Sequence, residues 1–253
     1  MIAIGIDDYP KTSILGYFEN IEGIEGENPL EKDQSDENKY PIKCKLKLLR
    51  GKNFSEFERN LKEASTKNEY SGYYIYFIDK QNNIKLEYFF FNLEINQIQD
   101  LENGYYNLDL NCNLYEASQG VREVCEMRIN NELTEYNLWR KLKKESRQGW
   151  LEVAINLQSN IIDRANLIVE INGDLIDNTD SFYCVIGESI NGPGGYFGRN
   201  LDALHDCFRG EFGVKLPFTI KWKNHLQSKK YLKEKFNHIL EVLKDNNVKI
   251  ELN

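Results

Sequence analysis

The chain carries two kinds of hydrophobic patterning. In the first, apolar and polar positions alternate with a period of two, the mark of half-buried strands. Ile42, Cys44, Leu46 and Leu48 alternate with Lys43, Lys45 and Lys47. Tyr106, Leu108, Leu110, Cys112 and Leu114 alternate with Asn107, Asp109, Asn111 and Asn113. Tyr73–Ile78 and Ile84–Phe91 read as aromatic strands, and the five residues Asp79–Asn83 between them suit a hairpin loop. Asn53 or Ser55 can cap a helix in which Phe54, Phe57, Leu61 and Ala64 fall at helical spacing. A helix is expected near Thr134–Lys144, with Leu138 and Leu142 on one side, and a further alternating segment over Trp150–Leu157. Residues 1–158 therefore read as a strand-rich α+β domain. Its many Tyr and Phe residues are more simply cross-strand packing pairs than a binding face.

The pattern changes around residues 159–166. Leu167–Ile171 is a continuous apolar run closed by Asn172-Gly173, which reads as a buried parallel strand. Thr179 and Asp180 can cap a helix through Ile190, and a Gly-rich loop follows over residues 191–199. Asn200 can cap a second helix through Phe208. Phe218, Ile220 and Trp222 form another strand. Phe236, Ile239, Leu240 and Leu243 lie at i, i+3, i+4, i+7 on an amphipathic helix, and Val248–Leu252 is a last strand. Strands alternating with helices over residues 165–253 predict a small α/β domain.

Composition narrows the functional classes. The formal net charge is −8, yet residues 164–253 hold 12 acidic and 12 basic residues, so the whole imbalance falls on residues 1–163. An acidic chain lacks the basic footprint of a direct nucleic-acid binder. Eight of those acids crowd residues 19–37, which read as a solvated loop. No apolar run approaches the ~20 residues that cross a bilayer, so no membrane role is expected. The amino terminus has no basic leader, and a cytoplasmic location is expected. The five cysteines have no paired spacing and the three histidines are scattered; neither a disulfide framework, a metal site nor a cofactor is expected.

The informative stretch is Tyr196-Phe197-Gly198-Arg199-Asn200-Leu201-Asp202-Ala203-Leu204-His205-Asp206-Cys207-Phe208-Arg209. On a wheel of 100° per residue, Leu201, Leu204 and Phe208 face a core. Asp202 and Asp206 share the opposite face and His205 lies at the boundary. No nucleophile or third polar partner accompanies the two carboxylates, so a catalytic role is disfavoured. The loop lacks the phosphate-binding glycine patterns, and the acids in the next turn repel phosphate. A merely solvated helix face explains the acids equally simply, since Asp202 complements the helix dipole. A carboxylate display for a basic protein partner is the sharper reading.

This segment, with Leu216–Trp222 and the closing Phe236–Leu252 region, resembles the barstar family of intracellular inhibitors of barnase-type ribonucleases. The resemblance covers residues 165–253 only. It implies a three-stranded parallel sheet packed by helices, and a ribonuclease toxin as partner. It implies that Tyr196 stacks on the nuclease's catalytic histidine, with Phe197 and Gly198 in the same contact loop. Asn200 and Asp202 would hydrogen-bond the cleft rim, and Asp206 would occupy a substrate-phosphate position. Asp245 would be an outlying acidic contact. His205 stands where the best-known family pattern has tryptophan. Arg199 and Arg209 add positive charge, and Arg209 can pair with Asp206 at i, i+3. The rival readings are a regulatory protein-binding module without a toxin, and an enzyme activity within residues 1–158.

Overall fold

The computed structural model describes residues 1–253 apart from 9–10, 26–40, 68–71, 116 and 159–160. The chain forms two compact units, Met1–Ser118 and Gln119–Asn253. The boundary expected at 158–165 thus lies inside the second unit.

In unit 1 the strands are β1 (Ile2–Asp8), β2 (Lys11–Phe18), β3 (Asn20–Glu22), β4 (Ile42–Lys52), β5 (Tyr73–Ile78), β6 (Ile84–Asp100) and β7 (Tyr105–Leu114). They make one antiparallel sheet in the order β2-β1-β5-β6-β7-β4-β3. The two clearest alternating segments pair with each other: Cys44 faces Cys112, Leu46 faces Leu110 and Leu48 faces Leu108, all buried. Helix α1 (Phe54–Lys67) packs against β2, and Phe57 meets Phe18 edge-on at 5.9 Å. The Asn53 side chain accepts a bond from the Glu56 N–H at 3.3 Å, as a helix cap does. The aromatic residues pair across strands, with Tyr73 on Phe90 at 5.4 Å and Phe77 on Tyr88 at 6.0 Å. The Asp79–Asn83 loop is closed by the Asp79 carboxylate, which accepts bonds from the Gln81 and Asn83 amides and the Asn83 side chain. Those donors, with Lys85, hold its carboxyl far below the usual carboxylate range.

The acidic stretch differs from the solvated loop expected. Residues 20–22 are the edge strand β3, Glu19 pairs with Arg50 at 2.7 Å, and Glu25 is buried. Residues 26–37 of that stretch lie outside the described residues.

Unit 2 opens with α2 (Val121–Ile129), a 3-10 turn over Leu138–Lys141, and α3 (Arg147–Leu157). The helix expected at 134–144 is reduced to that turn because Asn137 is left-handed and Leu142 extended. The strand expected at 150–157 is helical. Trp150, Val153, Ala154 and Leu157 stand at i, i+3, i+4, i+7, which outweighs the apparent alternation.

The remaining elements are β8 (Arg164–Ala165), β9 (Ile168–Asn172), α4 (Thr179–Asn191), α5 (Leu201–Cys207), β10 (Val214–Lys215), β11 (Thr219–Lys223), α6 (His225–Leu232), α7 (Glu234–Asp245) and β12 (Lys249–Leu252). Strands β9, β11 and β12 form a three-stranded parallel sheet with β11 central, and β8 pairs with β10 in parallel. Val169, Ile171, Ile220 and Trp222 fill its inner face. The outer face is wet. Ile168 is exposed and Lys223 pairs with Glu170 at 2.7 Å, so β9 is buried on one side only, unlike the fully buried strand its apolar run suggested. Trp222 stacks on Phe182 at 5.3 Å, touches Phe236 and donates its indole N–H to Ser228 Oγ at 2.9 Å.

Helix α4 shows why residues 119–158 belong with this unit. Its cap is a reciprocal box between Asn178 and Ser181. From Ser181 to Glu188 every residue is buried. A helix buried all round needs cover on both sides. Strand β9 packs against α4, and so does α3. The buried Arg147 guanidinium binds Asp177 just ahead of α4 and lies 5.0 Å over the Trp139 ring. No helix of the described residues is long and apolar enough to cross a membrane.

Candidate functional site

The site is built where α4 ends and α5 begins. The turn between them is rigid. Asn191, the last residue of α4, donates its side-chain amide to the Tyr196 carbonyl at 2.8 Å and the Phe212 carbonyl at 3.0 Å. Gly198 has φ +92°, and a Cβ there would lie 2.9 Å from the Leu204 Cα, so loop and helix approach as only glycine permits. Asn200 then caps α5: its Oδ1 accepts the Ala203 N–H at 2.7 Å. Leu204, Cys207 and Phe208 anchor the helix inside.

Sorted by exposure, the expected contact residues fall into two groups. Asn200, Asp202, His205 and Asp206 are exposed, as is Asp245 at the end of α7; the neighbouring Arg199 is exposed as well. Tyr196, Phe197 and Gly198 are buried. The Tyr196 ring is only 1% exposed and lies against Phe212 at 6.0 Å, and burial pushes its hydroxyl up to about 12. In the chain without a partner its ring is packed inside against Phe212 and presents little surface to solvent. Phe197 packs edge-on to Phe208 at 5.3 Å and is a core residue. Tyr196 and Phe197 are thus pegs that seat the loop, and the outward chemistry begins at Arg199 and continues along α5.

Asp202 sits in the first turn of α5, where a negative charge complements the helix dipole, and His205 in the last turn, where a positive one does. Asp202 and Asp206, four residues apart, present their carboxylates on one face. Asp206 Oδ1 lies 3.3 Å from Arg209, in the i, i+3 pair expected. Both partners are more than half exposed, so the pair contributes little and is readily exchanged for another cation. The Asn200 oxygen is committed to the cap.

A cleft of about 490 Å³ opens beside the start of α5. Asp180, Asn200 and Asp202 line it together with Arg199, Lys235 and Gln148. Two acids face two bases there. Asp180 accepts a bond from Gln148, yet burial outweighs that bond and raises its carboxyl above the ordinary range. Among the described residues no three His, Cys, Asp or Glu side chains are grouped to hold a metal ion.

Three residues escaped the sequence reading. Glu188 is buried, and burial raises its carboxyl. One of its oxygens accepts the Gly194 N–H at 3.2 Å. The other accepts the Asn137 N–H at 2.8 Å and the Trp139 indole N–H at 3.3 Å. Gln158, just after α3, accepts the Tyr196 N–H at 2.9 Å. Asn191 is the third, through its bonds to the Tyr196 and Phe212 carbonyls. Only Glu188 left a signal, as a lone acid in the apolar run 182–190.

Comparison with known proteins matches this region. The family model described as Barstar (barnase inhibitor) matches residues 166–252. A Bacillus subtilis (strain 168) protein bearing the name "Putative ribonuclease inhibitor YrdF" is 35% identical over 75 residues, which are 30% of this chain and 79% of that protein. Parallel sheet, capped α5 and outward carboxylates coincide with that match, and through residues 166–252 the chain belongs to the barstar family.

Proposed function

We propose that the protein is an immunity-type inhibitor that binds a barnase-like ribonuclease toxin and blocks its active site. The observation that carries this reading is the pair Asp202 and Asp206 on one exposed face of a helix whose cap, preceding glycine and core side are all fixed. Carboxylates held this way offer a ribonuclease the negative charge it meets in RNA phosphates. An arginine in the nuclease grips a carboxylate through two parallel bonds, as it grips a phosphate. Inhibition is then stoichiometric occlusion, and the protein performs no chemistry. Arg209 holds Asp206 until the nuclease's own cations replace it.

Asp206→Ala tests the assignment against the cognate nuclease. Binding is expected to weaken by about 2–5 kcal/mol, because buried partner cations lose their counter-charge; that range itself draws on barnase–barstar. Asp245→Ala, at the exposed end of α7, is expected to cost less than about 1 kcal/mol. Equal inhibition by wild type and Asp206→Ala would contradict the assignment.

The second reading, a regulatory module that docks to a protein other than a toxin, draws on the charge balance. Residues 119–253 hold 19 acidic and 19 basic residues, whereas a steering field for a basic nuclease calls for net negative charge.

A further inference from the structure

We propose that residues 119–158, which precede the family match, are a working part of the inhibitor, and that Gln158 and Glu188 are positioning residues for its contact loop. The inference rests on the inhibitor reading and extends it to the segment that sets the loop's geometry.

The loop 192–198 has few bonds of its own. The Gly192 N–H closes the end of α4, and Gly195 N–H bonds back to the Gly192 carbonyl at 2.9 Å. Two of its other amides are held by acceptors from outside it: Gly194 by Glu188, and Tyr196 by Gln158. Glu188 in turn is satisfied by Asn137 and Trp139, so one buried carboxylate ties the 137–139 turn to the loop. A Cβ added at Gly194 would meet Arg128 at 2.7 Å and Leu133 at 3.1 Å, so the segment lies directly over the loop there. The same segment reaches the start of α4 through Arg147–Asp177 and Gln148–Asp180, and Gln148 lines the cleft that Asn200 and Asp202 also line. Residues 119–158 therefore grip α4 and the loop at several points. With Tyr196 turned inward, the direction in which α5 leaves the loop is set by these bonds. Preorganising that exit reduces the ordering cost of binding.

The test uses the full chain with Gln158→Ala and Gln158→Glu, which sit at a helix end and spare the core. Amide exchange of Gly194 and Tyr196 is read in the free protein, and affinity for the cognate nuclease beside it. Gln158→Ala is expected to speed exchange at Tyr196 and to weaken binding about tenfold, the scale of one hydrogen bond. Gln158→Glu, which keeps an acceptor oxygen, is expected to restore both. Faster exchange with unchanged affinity would overturn the inference, and so would unchanged exchange at Tyr196. Asp206→Ala is measured in parallel. If it alone weakens binding, the inhibitor reading stands and the positioning role fails; if it has no effect, the Asp206 assignment fails; and if the wild type does not bind the nuclease, the inhibitor reading itself fails.

Discussion

The two units solve the same problem of burying apolar surface in opposite ways. Unit 1 spreads it over a wide antiparallel sheet in which β4 shows one wetter and one dry face while β1 and β5 are buried on both. Unit 2 concentrates it in α4, a helix buried along most of its length, with a small parallel sheet on one side and α3 on another. Charge divides the same way. Residues 119–253 are balanced, so the whole −8 belongs to residues 1–118. The acidic unit is therefore not the one that displays acids on a family-specific scaffold. On the proposed function, recognition in unit 2 rests on where two carboxylates are mounted, since its net charge supplies no field.

The sharpest way to break this comparison is to empty each core in turn within the full chain. Phe57→Ala removes a ring packed on Phe18, Phe54 and Tyr106. Trp222→Ala removes one packed on Phe182 and Phe236 and leaves Ser228 without its indole donor. Each is expected to cost about 3–5 kcal/mol. Hydrogen exchange should place the loss in unit 1 for Phe57→Ala and in unit 2 for Trp222→Ala. Inhibition should fall with the second variant and survive the first. Equal loss in both units from either variant would show that they are not separate cores.

A smaller effect sharpens the account of α4. Asp177 neutralises the buried Arg147 and also pairs with Lys144 at 3.1 Å. Desolvation pushes its carboxyl up, but the bonds from Arg147 and Lys144 prevail and hold it below the usual range. Asp177→Asn is expected to cost about 2 kcal/mol, less than for a fully buried pair because Asp177 is one-third exposed. Since its folded-state value is depressed, Asp177 stabilises unit 2 above the ordinary carboxylate range, and this is lost as pH falls through the depressed value. Denaturant titrations from pH 6 down to pH 2 should show the wild-type advantage over Asp177→Asn shrinking. An advantage that grows toward low pH would contradict the pairing.

These contrasts also explain what was legible in the sequence. Alternation revealed β4 and β7 because each exposes one face to water. The same rule misread Trp150–Leu157, where strand and helix periods overlap over eight residues. Strands β1 to β3, of which β2 and β3 are the sheet's edges, stand beside turns and acids and left no clear period. Family-specific spacing found α5 and its carboxylates, since Asn200, Asp202 and Asp206 are fixed by the helix itself. It could not show that Tyr196 faces inward, because that depends on Phe212, Asn191 and Gln158, up to 38 residues away in the chain. The division at 118/119 left no local sign for a related reason: α3 joins α4 through long-range bonds that no local pattern records.

The most direct test is amide-exchange footprinting of the full chain bound to its cognate ribonuclease, compared with the free protein. The account predicts new protection concentrated on residues 198–206, at the loop exit and along α5. Protection confined to residues 1–118, with α5 exchanging as freely as before, would contradict it.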